Sequence, residues 1–125
     1  MTIRALQPVG LPRPNAPYSP VVVSNGHVFT AGQVGFDANG DVVEGGIEAQ
    51  TRQALENVSL CLEAAGCTLG DVVKVTAFLA DLSDFAAYNS VYATFFDEPY
   101  PVRTTVGVSL PSSLLVEIEA VARIP

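Results

Sequence analysis

From Leu115 to Ile124 the chain alternates without a break. Val116, Ile118, Ala120 and Ala122 fall on one side of an extended strand, and Leu115, Glu117, Glu119 and Val121 on the other. This pattern constrains the fold strongly, because a slip of one residue in pairing would exchange the two faces. The remaining elements must supply such a strand with partners.

They do so in order. Residues 1–20 hold five prolines and read as an extended arm with little regular structure. Val21-Val22-Val23 and Val28-Phe29-Thr30 flank Asn25-Gly26, a hairpin signal because both turn residues must take positive φ. A second Asn-Gly pair, Asn39-Gly40, reads as another tight turn between antiparallel strands. From about Ile47 the period changes, and Ala54, Leu55, Val58, Cys61, Leu62 and Ala65 recur at steps of three and four on one helical face, with Gly66 as terminator. Val72 to Leu79 reads as a buried strand. A second helix starts near Asp81–Asp84 with Ser83 as N-cap, runs through Phe85, Tyr88, Val91, Tyr92 and Phe95, and stops at Pro99 and Pro101. Arg103 to Ser109 is β-branched and extended. The order β-β-α-β-α-β-β predicts one α+β domain over residues 1–125, a mixed sheet with two helices on one face.

Charge decides what such a domain can touch. The formal net charge is −7, and only 15% of the 125 residues are charged against 49% hydrophobic. An ordinary soluble domain carries about 25% charged residues, so this chain is either a monomer with a bland surface or, the favoured reading, a subunit that hides one face against copies of itself. Lys74, Arg4, Arg13, Arg52, Arg103 and Arg123 form no basic cluster, which excludes ordinary nucleic-acid binding. No window is long and apolar enough for a membrane span, and the opening residues lack a signal core. Cys61 and Cys67 make no disulfide framework and read as reduced thiols of a cytoplasmic protein.

Metal and nucleophile chemistry find little support. Two cysteines and the single His27 cannot complete a structural zinc set, and His27 lies in a turn without a nucleophile elbow nearby. Gly32-Gln33-Val34-Gly35 is too short for a phosphate loop; Gly32 reads better as a bulge than as a close backbone approach by a ligand or partner. Two features remain. Arg103 stands alone among uncharged neighbours and requires a partner: a ligand carboxylate gripped by two parallel hydrogen bonds, or an Asp or Glu of the chain itself. Glu117 and Glu119 share a strand face with Leu115 and Val121, so a partly dry carboxylate there could serve as a base for water.

These residues lie within a longer set of landmarks: Ala16-Pro17-Tyr18-Ser19-Pro20, Phe29-Thr30-Ala31-Gly32-Gln33-Val34, Gln50 to Val58, Glu63-Ala64-Ala65-Gly66, Val73 to Leu82, Tyr88-Asn89, Pro101 to Val106 and Val116 to Ala122. Nearly the whole chain thereby resembles the RidA (YjgF) family of enamine/imine deaminases. The resemblance implies a chorismate-mutase-like fold assembled as a homotrimer around a central barrel-like core, with sites between subunits. It implies hydrolysis of reactive 2-imino acids, such as 2-iminopropionate and 2-iminobutyrate, to 2-keto acids and ammonia, with no cofactor and no metal. Carried onto this chain, Arg103 would hold the substrate carboxylate and Glu117 would position the water. Tyr18 and Asn89 would shape and polarise the pocket, and the backbone at Gly32 and Thr105 would make close polar contacts. Thr105 stands where the best-known deaminases commonly have Cys, Ala31 where they have Ser, and the stretch from Arg103 to Pro111 is one residue shorter. The alternatives are a non-catalytic small-molecule-binding or holdase-like homologue and, against the charge, the ribonuclease and translation-inhibitor label attached to the family.

Overall fold

The last strand organises the sheet. In the computed structural model, which describes residues 3–125, Val116–Arg123 (β7) is the central strand and pairs on both sides. The other strands are β1 (Arg4–Leu6), β2 (Val21–Ser24), β3 (His27–Thr30), β4 (Gln33–Val34), β5 (Val72–Leu79) and β6 (Val102–Gly107), and the helices are α1 (Gly46–Glu63) and α2 (Phe85–Tyr92). The sheet runs β1-β2-β3-β7-β5-β6, with β4 also on β7. β5 and β6 are parallel, and every other pairing is antiparallel. A parallel pair needs a crossover, and α2 supplies it. The expected mixed sheet with two helices is therefore present.

Local chemistry explains most of the boundaries. Asn25 and Gly26 take φ values of 51° and 78°, the left-handed pair that a two-residue hairpin turn requires. α1 closes where Cys67 N donates to Leu62 O at 2.9 Å, past Gly66 at φ 77°. β7 changes partner from β3 to β4 along one edge, and the Thr30 hydroxyl fills the gap by accepting from Ala120 N at 3.1 Å.

Four expectations are corrected. The arm is not wholly irregular: Arg4–Leu6 adds an edge strand by pairing Arg4 with Val23 and Leu6 with Val21, while Met1 and Thr2 lie outside the described residues. The second Asn-Gly does not join two strands. Asp37 Oδ1 accepts from Asn39 N at 2.9 Å and Asp41 N at 3.1 Å, and this side-chain-built loop leaves the single bridge Phe36–Val42. Ser83 is not the N-cap. Asp81 Oδ1 accepts from Ser83 N at 2.9 Å, opening a 3-10 turn over Leu82–Asp84 that feeds α2 at Phe85. α2 then ends at Tyr92, one turn before Phe95.

The core lies between the sheet and the helices. Val116, Ile118, Ala120 and Ala122 are buried against α1 residues Ala54, Leu55, Val58, Cys61 and Leu62, as their spacing predicts. Two buried polar side chains of α1 fasten what lies beneath them. Asn57 Nδ2 donates to Val34 O at 3.0 Å and Phe36 O at 2.9 Å, holding β4 in place. Gln50 donates to Ser113 O at 3.0 Å and accepts from Leu115 N at 2.9 Å, which fixes the chain as it enters β7. Among the described residues the other face of the sheet carries no helix, and it leaves Phe29, Val102 and Val106 exposed.

Candidate functional site

The register of β5 sorts the candidate residues into two groups. Val75 pairs with Arg103 and Ala77 with Thr105, so both β6 side chains lie on the helix-covered face. Phe78 pairs with Glu117, which places Glu117 and Glu119 on the uncovered face. Arg103 and Glu117 therefore stand on opposite sides of the sheet.

On the helix side, α2 meets the guanidinium with one amide and three rings. Arg103 Nη1 donates to Asn89 Oδ1 at 2.8 Å. The guanidinium carbon lies 4.5 Å from the centre of the Tyr92 ring, 5.6 Å from Tyr88 and 5.7 Å from Phe85. Among the described residues no carboxylate pairs with Arg103, so its charge is held in place without being neutralised. Burial pushes the Tyr88 phenol up, although the nearby Thr105 hydroxyl and Arg103 charge pull the other way. Burial and the neighbouring Tyr88 push Tyr92 up to about 12, against the pull of Arg103. Both phenols thus stay neutral beside the cation. Thr105 Oγ1 and the two phenol oxygens are buried without a hydrogen-bond partner among the described residues. A cavity of about 430 Å³ opens over this group, lined by Asn89, Tyr92, Ala93, Tyr100, Pro101 and Arg103.

On the uncovered side, β4 brings Gly32 against Glu117. A methyl group at Gly32 would meet Glu117 Cδ at 2.8 Å and Cγ at 2.9 Å, so glycine is what leaves the carboxylate room. The registers fit the bulge reading, since residues 30–32 stand opposite only Glu119 and Ala120, and the group close against Gly32 is this chain's own Glu117 side chain. Burial, and then the charge of Glu119, hold Glu117 above the ordinary carboxylate value. Tyr18 is exposed on the arm and lines a shallow cavity of about 150 Å³ with Pro20, Gly32 and Gln33. Ala31 N, donating to Pro20 O at 2.9 Å, ties that arm to the strand end.

One chain thus assembles Arg103, Asn89 and Thr105 in one group and Tyr18, Ala31, Gly32 and Glu117 in another, and does not bring the groups together. Phe85 and Tyr92 read in the sequence only as part of an apolar helix stripe, and Tyr88 as that and as a family landmark. Their role around Arg103 is carried by that same spacing, which core residues share. No group of three or more His, Cys, Asp or Glu side chains able to hold a metal occurs among the described residues. No described helix is long and apolar enough to cross a membrane.

Comparison with known proteins agrees with this architecture. The family model described as Endoribonuclease L-PSP matches residues 10–124. A RutC family protein of Pyrococcus horikoshii is 50% identical over 89% of this chain and 90% of its own length. The 2-iminobutanoate/2-iminopropanoate deaminase of Capra hircus is 40% identical over 95% of this chain and 88% of its own. Among solved structures, E. coli TdcF with bound serine superposes with a TM-score of 0.89 at 38% identity, covering 98% of this chain and 99% of that one. Sequence landmarks, sheet order and these matches agree: the chain belongs to the RidA (YjgF) family, which also carries the description Endoribonuclease L-PSP.

Proposed function

We propose that this protein hydrolyses small 2-imino acids to 2-keto acids and ammonia, in sites formed where two copies meet. The observation that carries the reading is the Arg103 guanidinium, aimed by Asn89 and unpaired with any carboxylate among the described residues. A fork of N–H donors with its charge intact is a receptor for a planar carboxylate. The deaminase name of the goat relative and the serine held by the TdcF structure, an α-amino acid with a free carboxylate, support the same substrate class.

The reaction asks little more of the protein. Water attacks the electrophilic imine carbon while the C=N electron pair moves to nitrogen, which takes up a proton. The carbinolamine then expels ammonia as its hydroxyl becomes the ketone. Glu117, held above its ordinary value, accepts the proton of the attacking water and passes it to the imine nitrogen, then takes the proton of the carbinolamine hydroxyl and delivers it to the departing amine. Holding substrate and water together accounts for the rest of the rate. Neither Thr105 nor Ala31 is a nucleophile in this scheme.

Because Arg103 and Glu117 face opposite ways, a complete site needs a neighbour. The exposed Phe29, Val102 and Val106 on the uncovered sheet face favour self-association there, and the family's assembly suggests three copies. An RNA substrate is disfavoured by the net charge of −7 and the dispersed cations.

The test is to generate 2-iminobutyrate in situ and follow its loss with and without protein. Acceleration by the wild type and its loss in Arg103→Ala are expected, with light scattering giving the mass of three chains. No acceleration by a trimeric wild type would remove the deaminase reading.

A further inference from the structure

We propose that Tyr92 is a positioning residue for the carboxylate anchor, acting through its ring and not through its hydroxyl. The inference rests on the reading of Arg103 as that anchor, and adds what keeps the anchor charged and aimed. An Asp or Glu partner would hold the guanidinium as firmly but would consume its charge. An aromatic face holds a cation and leaves its N–H donors free.

The geometry distinguishes Tyr92 from its neighbours. Its ring centre is 4.5 Å from the guanidinium carbon, more than 1 Å closer than those of Phe85 and Tyr88. The ring is also clamped from elsewhere: Phe96 stacks on it at 4.7 Å with 29° between planes, and Tyr88 leans on it at 5.8 Å. Tyr92 is 7% exposed, so the ring has one seat. Its hydroxyl has no hydrogen-bond partner among the described residues and stays protonated. The ring and Asn89 thus hold the guanidinium by one face and one nitrogen. The remaining donors are left for a carboxylate to meet.

The experiment compares Tyr92→Leu, Tyr92→Phe and Arg103→Ala by two readouts: KM and kcat for 2-iminobutyrate generated in situ, and Kd for 2-oxobutanoate as a carboxylate that does not turn over. Tyr92→Leu is expected to raise KM and Kd about tenfold with kcat within about twofold of wild type, a size between those of an exposed and a fully desolvated cation–π contact. Tyr92→Phe is expected to restore both constants. If Tyr92→Leu does not fold by circular dichroism, Tyr92→Met carries the same comparison. Leu or Met variants that bind like wild type while Arg103→Ala does not, or a Phe variant as impaired as Leu, overturn this proposal alone. A wild type that binds 2-oxobutanoate without hydrolysing imine removes the deaminase reading and leaves the Kd series to decide on Tyr92. An Arg103→Ala variant with unchanged Kd overturns both.

Discussion

Asn89 Oδ1 lies 2.8 Å from Arg103 Nη1, so one amide on α2 sets the direction of a cation on β6. The bond is charge-assisted and, among the described residues, leaves the guanidinium's other donors unspent. Helix and strand therefore share one task, and damage to either end should show in substrate affinity.

Asn89→Leu should raise KM several-fold and leave the fold intact, because Asn89 is half-buried and serves one bond. Arg103→Lys should be nearly as impaired as Arg103→Ala. An ammonium keeps the charge but loses the planar fork and its seat on the Tyr92 ring. Steady-state kinetics of the three variants check both statements, and a fully active Arg103→Lys would contradict the clamp.

Gly32→Ala should fold and fail. The three atoms nearest the added methyl all belong to the Glu117 side chain, which can swing aside at small structural cost. The carboxylate then leaves its position. Thermal unfolding close to wild type together with a loss of kcat about as large as that of Glu117→Gln, on the order of 10²-fold for a missing general base, is the expected pair of results.

Glu117 should also leave a signature in stability against pH. Its carboxyl is raised in the folded chain, chiefly by burial and further by Glu119. The folded state therefore holds that proton to higher pH than the unfolded chain does. Its favourable contribution is fully present below the unfolded value and is lost as pH rises through the folded one. Glu117→Gln should accordingly gain on wild type toward neutral pH, with the gap closing in acid. Urea unfolding at a series of pH values measures it, and a gap that widens in acid would reverse the assigned sign.

Gln50→Ala should be among the costlier polar substitutions. The side chain is 3% exposed, and its loss strips Ser113 O and Leu115 N of their partner where the chain enters β7. A cost of about 2–4 kcal/mol in urea unfolding is expected for two stranded backbone groups.

What can be read in advance depends on how local each determinant is. Val72–Leu79 and Val116–Arg123 carry their strand signal in their own alternation and branching, and α1 carries its face in Ala54, Leu55, Val58, Cys61 and Leu62. β1 has no such signal. Three residues become a strand only because Val21–Val23 offers an edge. Arg103 is conspicuous among uncharged neighbours, whereas Asn89 enters only through the family resemblance. Alternation tells which side of β7 Glu117 takes, but not that Arg103 takes the other. That relation runs through two registers, β5 on β7 and β5 on β6, and neither is encoded within a single segment. The aromatic seat of Arg103 is hidden in the sequence because Phe85, Tyr88 and Tyr92 at helical spacing look like any core stripe.

The placement of Arg103 and Glu117 on opposite faces has a genetic consequence. If a working centre borrows one of these residues from each of two neighbours, a defect in either is not confined to the chain that bears it. An Arg103→Ala chain and a Glu117→Gln chain, each inert alone, would restore some intact centres when denatured together and refolded, or when co-expressed. Heterozygous alleles of this kind would complement each other, while two chains both altered at Arg103 would not.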